Sequence, residues 1–146
     1  MTKYSLIGDQ NLQSLSRSKN FNNWLYSEIK PYLKGRILEI GSGLGTYSEK
    51  IINDFSENEI YFSDISQKYI NKLRKQYLDR PNIKIKKIDL AERKDFEKIP
   101  VKFDSIMVIN VLEHIKDDIC ALQNLSNCLN KNGYIILLVP AYKWLY

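Results

Sequence analysis

Gly41, Gly43 and Gly45 stand at alternate positions directly after the apolar run Ile37 to Ile40 and before a helix-forming segment. Glycines in a strand-to-helix turn let the backbone bend sharply and approach a ligand where a Cβ would collide, so the stretch reads as a nucleotide-type cofactor site. Glu39 adds a second signal. A carboxylate between Leu38 and Ile40 sits in a strand that otherwise looks buried, and a buried charge without partners is costly. The N–H groups of the glycine turn are its expected donors. The alternative is an ordinary strand-to-helix turn in which the glycines serve geometry alone.

Ligands of open parallel sheets collect at the carboxyl ends of the strands, so the residues just past each strand form one candidate list. After the glycine turn come Asp64 in YFSDIS, Asp89 in IKKIDLAE, Asn110 in MVINVLEH, and Pro140 to Tyr142. Helix capping is the competing role for Asp64, which precedes Ser66, and for Asp89. His114, the one histidine of the chain, follows the fourth strand, where it serves either as a general base or as an orienting, helix-start residue. Tyr4, Trp24, Tyr26, Tyr142, Trp144 and Tyr146 are candidates for the wall of an acceptor pocket, with core or interface as the competing role.

The elements that would position these residues alternate between helical and strand periodicity, which predicts a parallel sheet with helices on both faces. Residues 11 to 33 carry Phe21, Leu25, Ile29 and Leu33 at four-residue spacing, with Gly35 as a stop, and predict a leading helix within an N-terminal helical segment 1–34. Strand one spans about Arg36 to Ile40, followed by a helix from Gly45 to about Phe55. Strand two spans about Glu59 to Ser63, followed by a helix from Ser66 to Leu78. Strand three, Ile83 to Ile88, alternates isoleucine with lysine and suits a sheet edge. Strand four, Phe103 to Ile109, and strand five, Tyr134 to Val139, are apolar enough to belong inside the sheet. A helix of about Lys116 to Leu129 joins them, and Asn130, Asn132 and Gly133 predict the turn.

At 146 residues, 44% hydrophobic and 27% charged, the chain reads as one globular domain, residues 1–146, with material for a proper core. No run approaches the ~18 apolar residues of a membrane span, and the polar opening lacks a secretory signal, so a cytoplasmic location is expected. Cys120 and Cys128 would lie about 12 Å apart on one helix, too far for a disulfide, and read as buried thiols. No cluster of metal ligands is present in the sequence. The net charge of +5 comes mostly from scattered lysines, with Lys84, Lys86 and Lys87 as the short basic run. A nucleic-acid reader more often groups arginines and stacking aromatics on one face, so the pattern argues against that partner.

The glycine spacing and the order of the strand-end signals resemble the class I S-adenosylmethionine-dependent methyltransferases over about Gly35 to Tyr142. Dinucleotide-binding dehydrogenases normally show G-x-G-x-x-G, whereas the third glycine here comes one residue early. The resemblance implies a doubly wound, mostly parallel Rossmann-like α/β sheet in the order 3-2-1-4-5. It implies roles residue by residue. Glu39, Gly41, Ser42, Gly43 and Gly45 would surround the methionine part of the cofactor, Asp64 would hold the ribose hydroxyls, and Ile65 would lie beside the adenine. Asp89 and Leu90 would lie near the adenine amino group, and Asn110 would give backbone contact under the amino-acid end. The segment NVLEHIKD looks like the small-molecule branch, and the Pro-Pro-aromatic motif of amino-methylating DNA enzymes is absent. A small-molecule acceptor of quinone, lipid or glycan type follows from the resemblance, with S-adenosylhomocysteine as the product.

Complete members of that family carry two further strands after strand five, whereas this sequence stops at Tyr146. Strand five would then be an apolar edge, and self-association through it or through the tail AYKWLY is expected, giving a homo-oligomer. Two other readings stand beside the methyltransferase: a cofactor-binding module without activity, and an NAD-type nucleotide-binding protein.

Overall fold

The computed structural model describes residues 18–141. Tyr4, Tyr142, Trp144 and Tyr146, the first part of the expected leading helix and most of the aromatic tail lie outside the described residues. In chain order the elements are α1 (Lys19–Ile29), a 3₁₀ turn (Lys30–Tyr32), β1 (Ile37–Ile40), α2 (Ser48–Asp54), β2 (Ile60–Asp64), α3 (Gln67–Gln76), β3 (Ile83–Lys87), α4 (Arg93–Glu97), β4 (Phe103–Ile109), a 3₁₀ turn (Leu112–His114), α5 (Asp118–Asn127) and β5 (Leu129–Leu138).

All neighbouring strands pair in parallel, in the order β3-β2-β1-β4-β5. Parallel strands joined by helical crossovers are covered on both faces, and every residue of β1 and β2 is buried. The pleat divides the core in two. Ile37, Phe62 and Met107 face Leu25, Ile29, Ile51 and Leu73 from α1, α2 and α3. Leu38, Ile106 and Val108 face Phe96, Ala121 and Leu125 from α4 and α5. The sheet is therefore doubly wound. Because Glu39 is in register with Phe62 and Met107, the pleat points it toward the side of α1 and α2.

Strand five takes the edge place that the order 3-2-1-4-5 implies, although its apolar run also suited the inside of the sheet. It is an edge strand, and Tyr134, Leu137 and Val139 are 45%, 41% and 45% exposed. An apolar run is equally compatible with a buried strand and with an edge awaiting a cover, and pairing alone tells them apart. The expected turn at Asn130 to Gly133 is instead a bulge inside β5. Phe103 pairs with Leu129 and Ser105 with Tyr134, so Asp104 alone stands opposite residues 130–133, and its Oδ1 accepts from Asn130 Nδ2 at 2.8 Å.

Other boundaries and burials shift as well. Asp117 caps α5 by accepting from the Cys120 N–H at 3.0 Å, which sets the start of that helix later than the periodicity suggests. Cys128 is buried just past the end of α5, while Cys120 is partly exposed; both are free thiols. Phe21 does not join Leu25, Ile29 and Leu33 in the core but stays 45% exposed, beside Trp24 at 57%. Tyr26 is a core residue at 7%. The short helix α4 gave only a weak signal, since five residues are too few for a periodicity.

Candidate functional site

The turn after β1 holds three glycines in the left-handed region, with φ of +74° at Gly41, +51° at Gly43 and +87° at Gly45. Residues with a Cβ rarely adopt this conformation. At Gly41 space is a second restriction, because a Cβ would lie 2.3 Å from Val111 Cγ2. The turn is strapped to β2. Ser42 donates its N–H to the Ser63 carbonyl at 2.8 Å, and Gly43 donates its N–H to Asp64 Oδ2 at 2.9 Å.

Asp64 is the last residue of β2 and is buried at 7% exposure. Its other oxygen, Oδ1, accepts from the Ser66 N–H at 2.7 Å. It is not the helix cap, a position that belongs to Ser66. Burial pushes its carboxyl up, partly offset by the N–H groups of Ser66, Gly43 and Ile65.

Glu39 is 3% exposed, and its donors are not the N–H groups of the glycine turn. The Ser42 hydroxyl donates to Oε2 at 2.9 Å and the Ser48 hydroxyl donates to the same oxygen. The β-pleat turns the side chain sideways into the layer between sheet and helices, where hydroxyls from the turn and from α2 reach it and the turn amides do not. Burial pushes its carboxyl up to about 7, opposed by the two hydroxyls and reinforced by the negative charge of Asp64.

This carboxyl sets a pH dependence of stability. A carboxyl raised on folding penalises the folded state where it is ionised, so the penalty is fully present above about pH 7 and is relieved as pH falls toward the ordinary value of 4.5. The ligand-free protein is expected to gain about 2–3 kcal/mol between those limits from this group, and Glu39→Gln to abolish that gain. Urea melts of both proteins across pH measure it; parallel profiles would refute the assignment.

A cavity of about 60 Å³ lies beside Glu39, lined among others by Phe21, Gly41, Ser42, Tyr47 and Asn110, and Asp64, Gly43 and Gly45 lie outside its lining. Asn110 closes the end of β4 with φ of +52°, and its N–H donates to the Leu138 carbonyl at 2.9 Å. Ile65, at the tip of β2, is 58% exposed, an apolar side chain available to cover a flat ring. Asp89 Oδ1 accepts from the Ala91 N–H at 3.0 Å, and the cap of α4 is Glu92, so Asp89 does not cap it. Leu90 is buried at 3%, which leaves its backbone as the part that can meet a ligand. A larger cavity, about 470 Å³, opens at the amino ends of β4 and β5 beside Lys102 and Cys128, away from the strand tips.

His114 is not brought into this group. It sits in the 3₁₀ turn with its side chain 66% exposed and Nε2 3.9 Å from Glu113 Oε1. Among the lining residues that sequence reasoning missed are Phe21, Asn22, Thr46, Tyr47, Met107 and Ile109. Asn22 is buried at 4% and accepts from the Tyr47 hydroxyl at 3.0 Å, which ties α1 to the residue before α2. A buried asparagine inside an amphipathic helix was the available signal. Among the described residues no group of three or more His, Cys, Asp or Glu is placed to hold a metal ion, and no helix is long and apolar enough to cross a membrane.

A three-glycine turn locked to an acid at the neighbouring strand tip, in a sheet ordered 3-2-1-4-5, defines a Rossmann-like cofactor-binding class. Residues 38–135 match the family model described as a methyltransferase domain, and the chain belongs to that family. The chain is 31% identical over 176 aligned residues to probable polyketide synthase 42 of Dictyostelium discoideum, covering 99% of this chain and 7% of that protein. It is 25% identical to the ubiquinone/menaquinone biosynthesis C-methyltransferase UbiE of Coxiella burnetii (strain RSA 331 / Henzerling II), covering 93% of this chain and 54% of that one. The fold is shared with a crystal structure of an S-adenosylmethionine-dependent methyltransferase from Clostridium acetobutylicum ATCC 824, at a TM-score of 0.67 and 18% identity, over 92% of this chain and 55% of that one. The chain thus spans a small part of its polyketide synthase relative and about half of the C-methyltransferase.

Proposed function

We propose that this chain binds S-adenosylmethionine across the tips of β1 to β4 and directs transfer of its methyl group to a small-molecule acceptor of quinone, lipid or glycan type. The observation that carries the reading is the clasp between the Gly43 N–H and Asp64 Oδ2 at 2.9 Å, which holds a glycine turn and a buried acid as one unit. Each carboxylate oxygen has a second acceptor site beyond the one used by Gly43 or Ser66, so Asp64 can still take hydrogen bonds from a vicinal diol. When bound, the cofactor supplies an electrophilic methyl on a sulfonium, and in-line displacement gains most from positioning. Ile65 covers the base, the Asp89–Leu90 backbone borders its edge, Asn110 underlies the amino-acid end, and Phe21 and Tyr47 wall the opposite side.

Among acceptors, the name of the UbiE relative favours a carbon of quinone type. A carbon acceptor needs a proton removed, and His114 is the candidate base. Because its side chain is 66% exposed and outside the cavity lining, His114→Ala at saturating cofactor is the test of that role: a loss of about 100-fold in turnover with cofactor affinity unchanged supports it. Unchanged turnover would leave it a positioning or helix-start residue.

Calorimetric titration with S-adenosylhomocysteine and with NAD tests the cofactor: heat with the first and none with the second is expected, and the reverse refutes the reading. Methylated product over a panel of quinols, phenols and amines tests the activity. The cytosol is the proposed location. We also propose self-association through β5, whose outer edge carries exposed Tyr134 and Leu137. Sedimentation is expected to give a dimer at micromolar concentration, and a strictly monomeric species refutes it.

A further inference from the structure

The cavity at the tips of β1 and β4 carries charge of one sign. Among the described residues its lining contains one carboxyl, Glu39, and no lysine or arginine, in a chain whose net charge is +5. Two cations on the surrounding helices bond groups other than Glu39, one of them the carbonyl of Leu44, itself a lining residue. Lys72, from α3, donates to the Leu44 carbonyl at 3.0 Å, and Lys50, from α2, bonds Asn23 Oδ1 and lies over the Tyr26 ring.

Glu39 has two donors, the hydroxyls of Ser42 and Ser48, and both take Oε2. That leaves Oε1 with lone pairs to spare for a ligand. Neutral donors offset part of the cost of burying a carboxylate, and a cation is what offsets the rest. The other groups around it cannot do so. Asp64, from β2, adds a negative charge. Tyr26 from α1, Tyr47 before α2 and Tyr77 after α3 have phenols pushed up by burial and stay neutral where a carboxyl titrates. From β4 the residue opposite is the uncharged Met107.

We propose that Glu39 selects the ligand by its charge, favouring the cationic methyl donor over the neutral thioether product by losing its proton to solvent when the sulfonium enters and regaining one when the thioether is left. The inference rests on the S-adenosylmethionine reading of the cavity. It makes Glu39 a specificity residue that helps the product leave, because the carboxylate loses its counter-charge in the same step that moves the methyl group. With its carboxyl raised to about 7, Glu39 is mostly neutral one unit below that value and mostly ionised one unit above.

The test is the ratio of affinities for S-adenosylmethionine and S-adenosylhomocysteine, measured by calorimetry from about pH 6 to about pH 8 on the wild type and on Glu39→Gln. The difference between the two proteins cancels titration of the ligands' own amino groups. The wild-type ratio is expected to rise about tenfold over that span relative to the variant. Near pH 7, buffers of different ionisation enthalpy should report about half a proton released per donor bound, and less for the product. Ser48→Ala removes a donor that holds the carboxyl down, so the midpoint of the rise should move to higher pH, which keeps the test available if Glu39→Gln does not fold. A ratio independent of pH in the wild type, an equal rise in Glu39→Gln, or an unmoved midpoint in Ser48→Ala each overturns the proposal. If the folded wild type binds neither ligand, the cofactor reading itself falls and takes the proposal with it; binding without proton release overturns the proposal alone.

Discussion

Asp64→Ala is expected to weaken S-adenosylmethionine binding by about 100-fold, because a carboxylate gripping a diol makes two charge-assisted hydrogen bonds worth about 1.5 kcal/mol or more each. The variant also releases the Gly43 N–H, which now bonds Asp64 Oδ2 at 2.9 Å, so the glycine turn loses its tie to β2 as well as its ligand contact. Asp64→Asn separates the two effects. Its amide oxygen can still accept from Gly43, but the amide nitrogen cannot accept from a hydroxyl, so an intermediate loss is expected. Calorimetric titration with the cofactor measures both, and an affinity for Asp64→Ala within about threefold of the wild type would refute the ribose role.

Gly41→Val is expected to cost about 2–4 kcal/mol of stability. Two penalties meet at this residue. At φ of +74° a β-branched side chain is strained whatever surrounds it, and its Cβ would lie 2.3 Å from Val111 Cγ2. The contact joins the turn after β1 to the segment after β4, so the strain falls on both walls of the cleft and cofactor affinity should fall with stability. The pair Gly41→Ala and Gly41→Ala with Val111→Ala apportions the cost. Removing the valine methyls should restore the contact part and leave about 1–2 kcal/mol from the backbone alone. Urea denaturation measures this, and a Gly41→Val protein as stable as the wild type would refute the geometry of the turn.

Much of the site was legible because its signals are local. Glycines at alternate positions demand positive φ through backbone sterics alone, and three of them bear φ values of that kind. Acids at strand tips follow from period-two patterning, which locates the end of β2 to within a residue. The partners of Glu39 were not legible. Ser42 and Ser48 are three and nine residues away in sequence, yet which donor reaches a carboxyl depends on the direction the pleat gives the side chain and on the seat of α2. Phe21 illustrates the same limit, since its spacing matches Leu25 and Ile29 while its ring lies at the cavity rather than in the core.

From the amino-acid order alone came the alternation of strands and helices, the glycine turn, the acids at the tips of β2 and β3 and the lysine-fringed edge at β3, all of which depend on neighbours within a few residues. Tertiary structure decided the rest. How Asp104 pinned a bulge in β5, which phenol bonded Asn22, and that Glu39 would stand in a cavity with no lysine or arginine among its described lining residues were all set by contacts between segments distant in the chain. Local sterics act before the chain closes on itself, whereas the surroundings of a buried charge exist only once the sheet and its helices have packed.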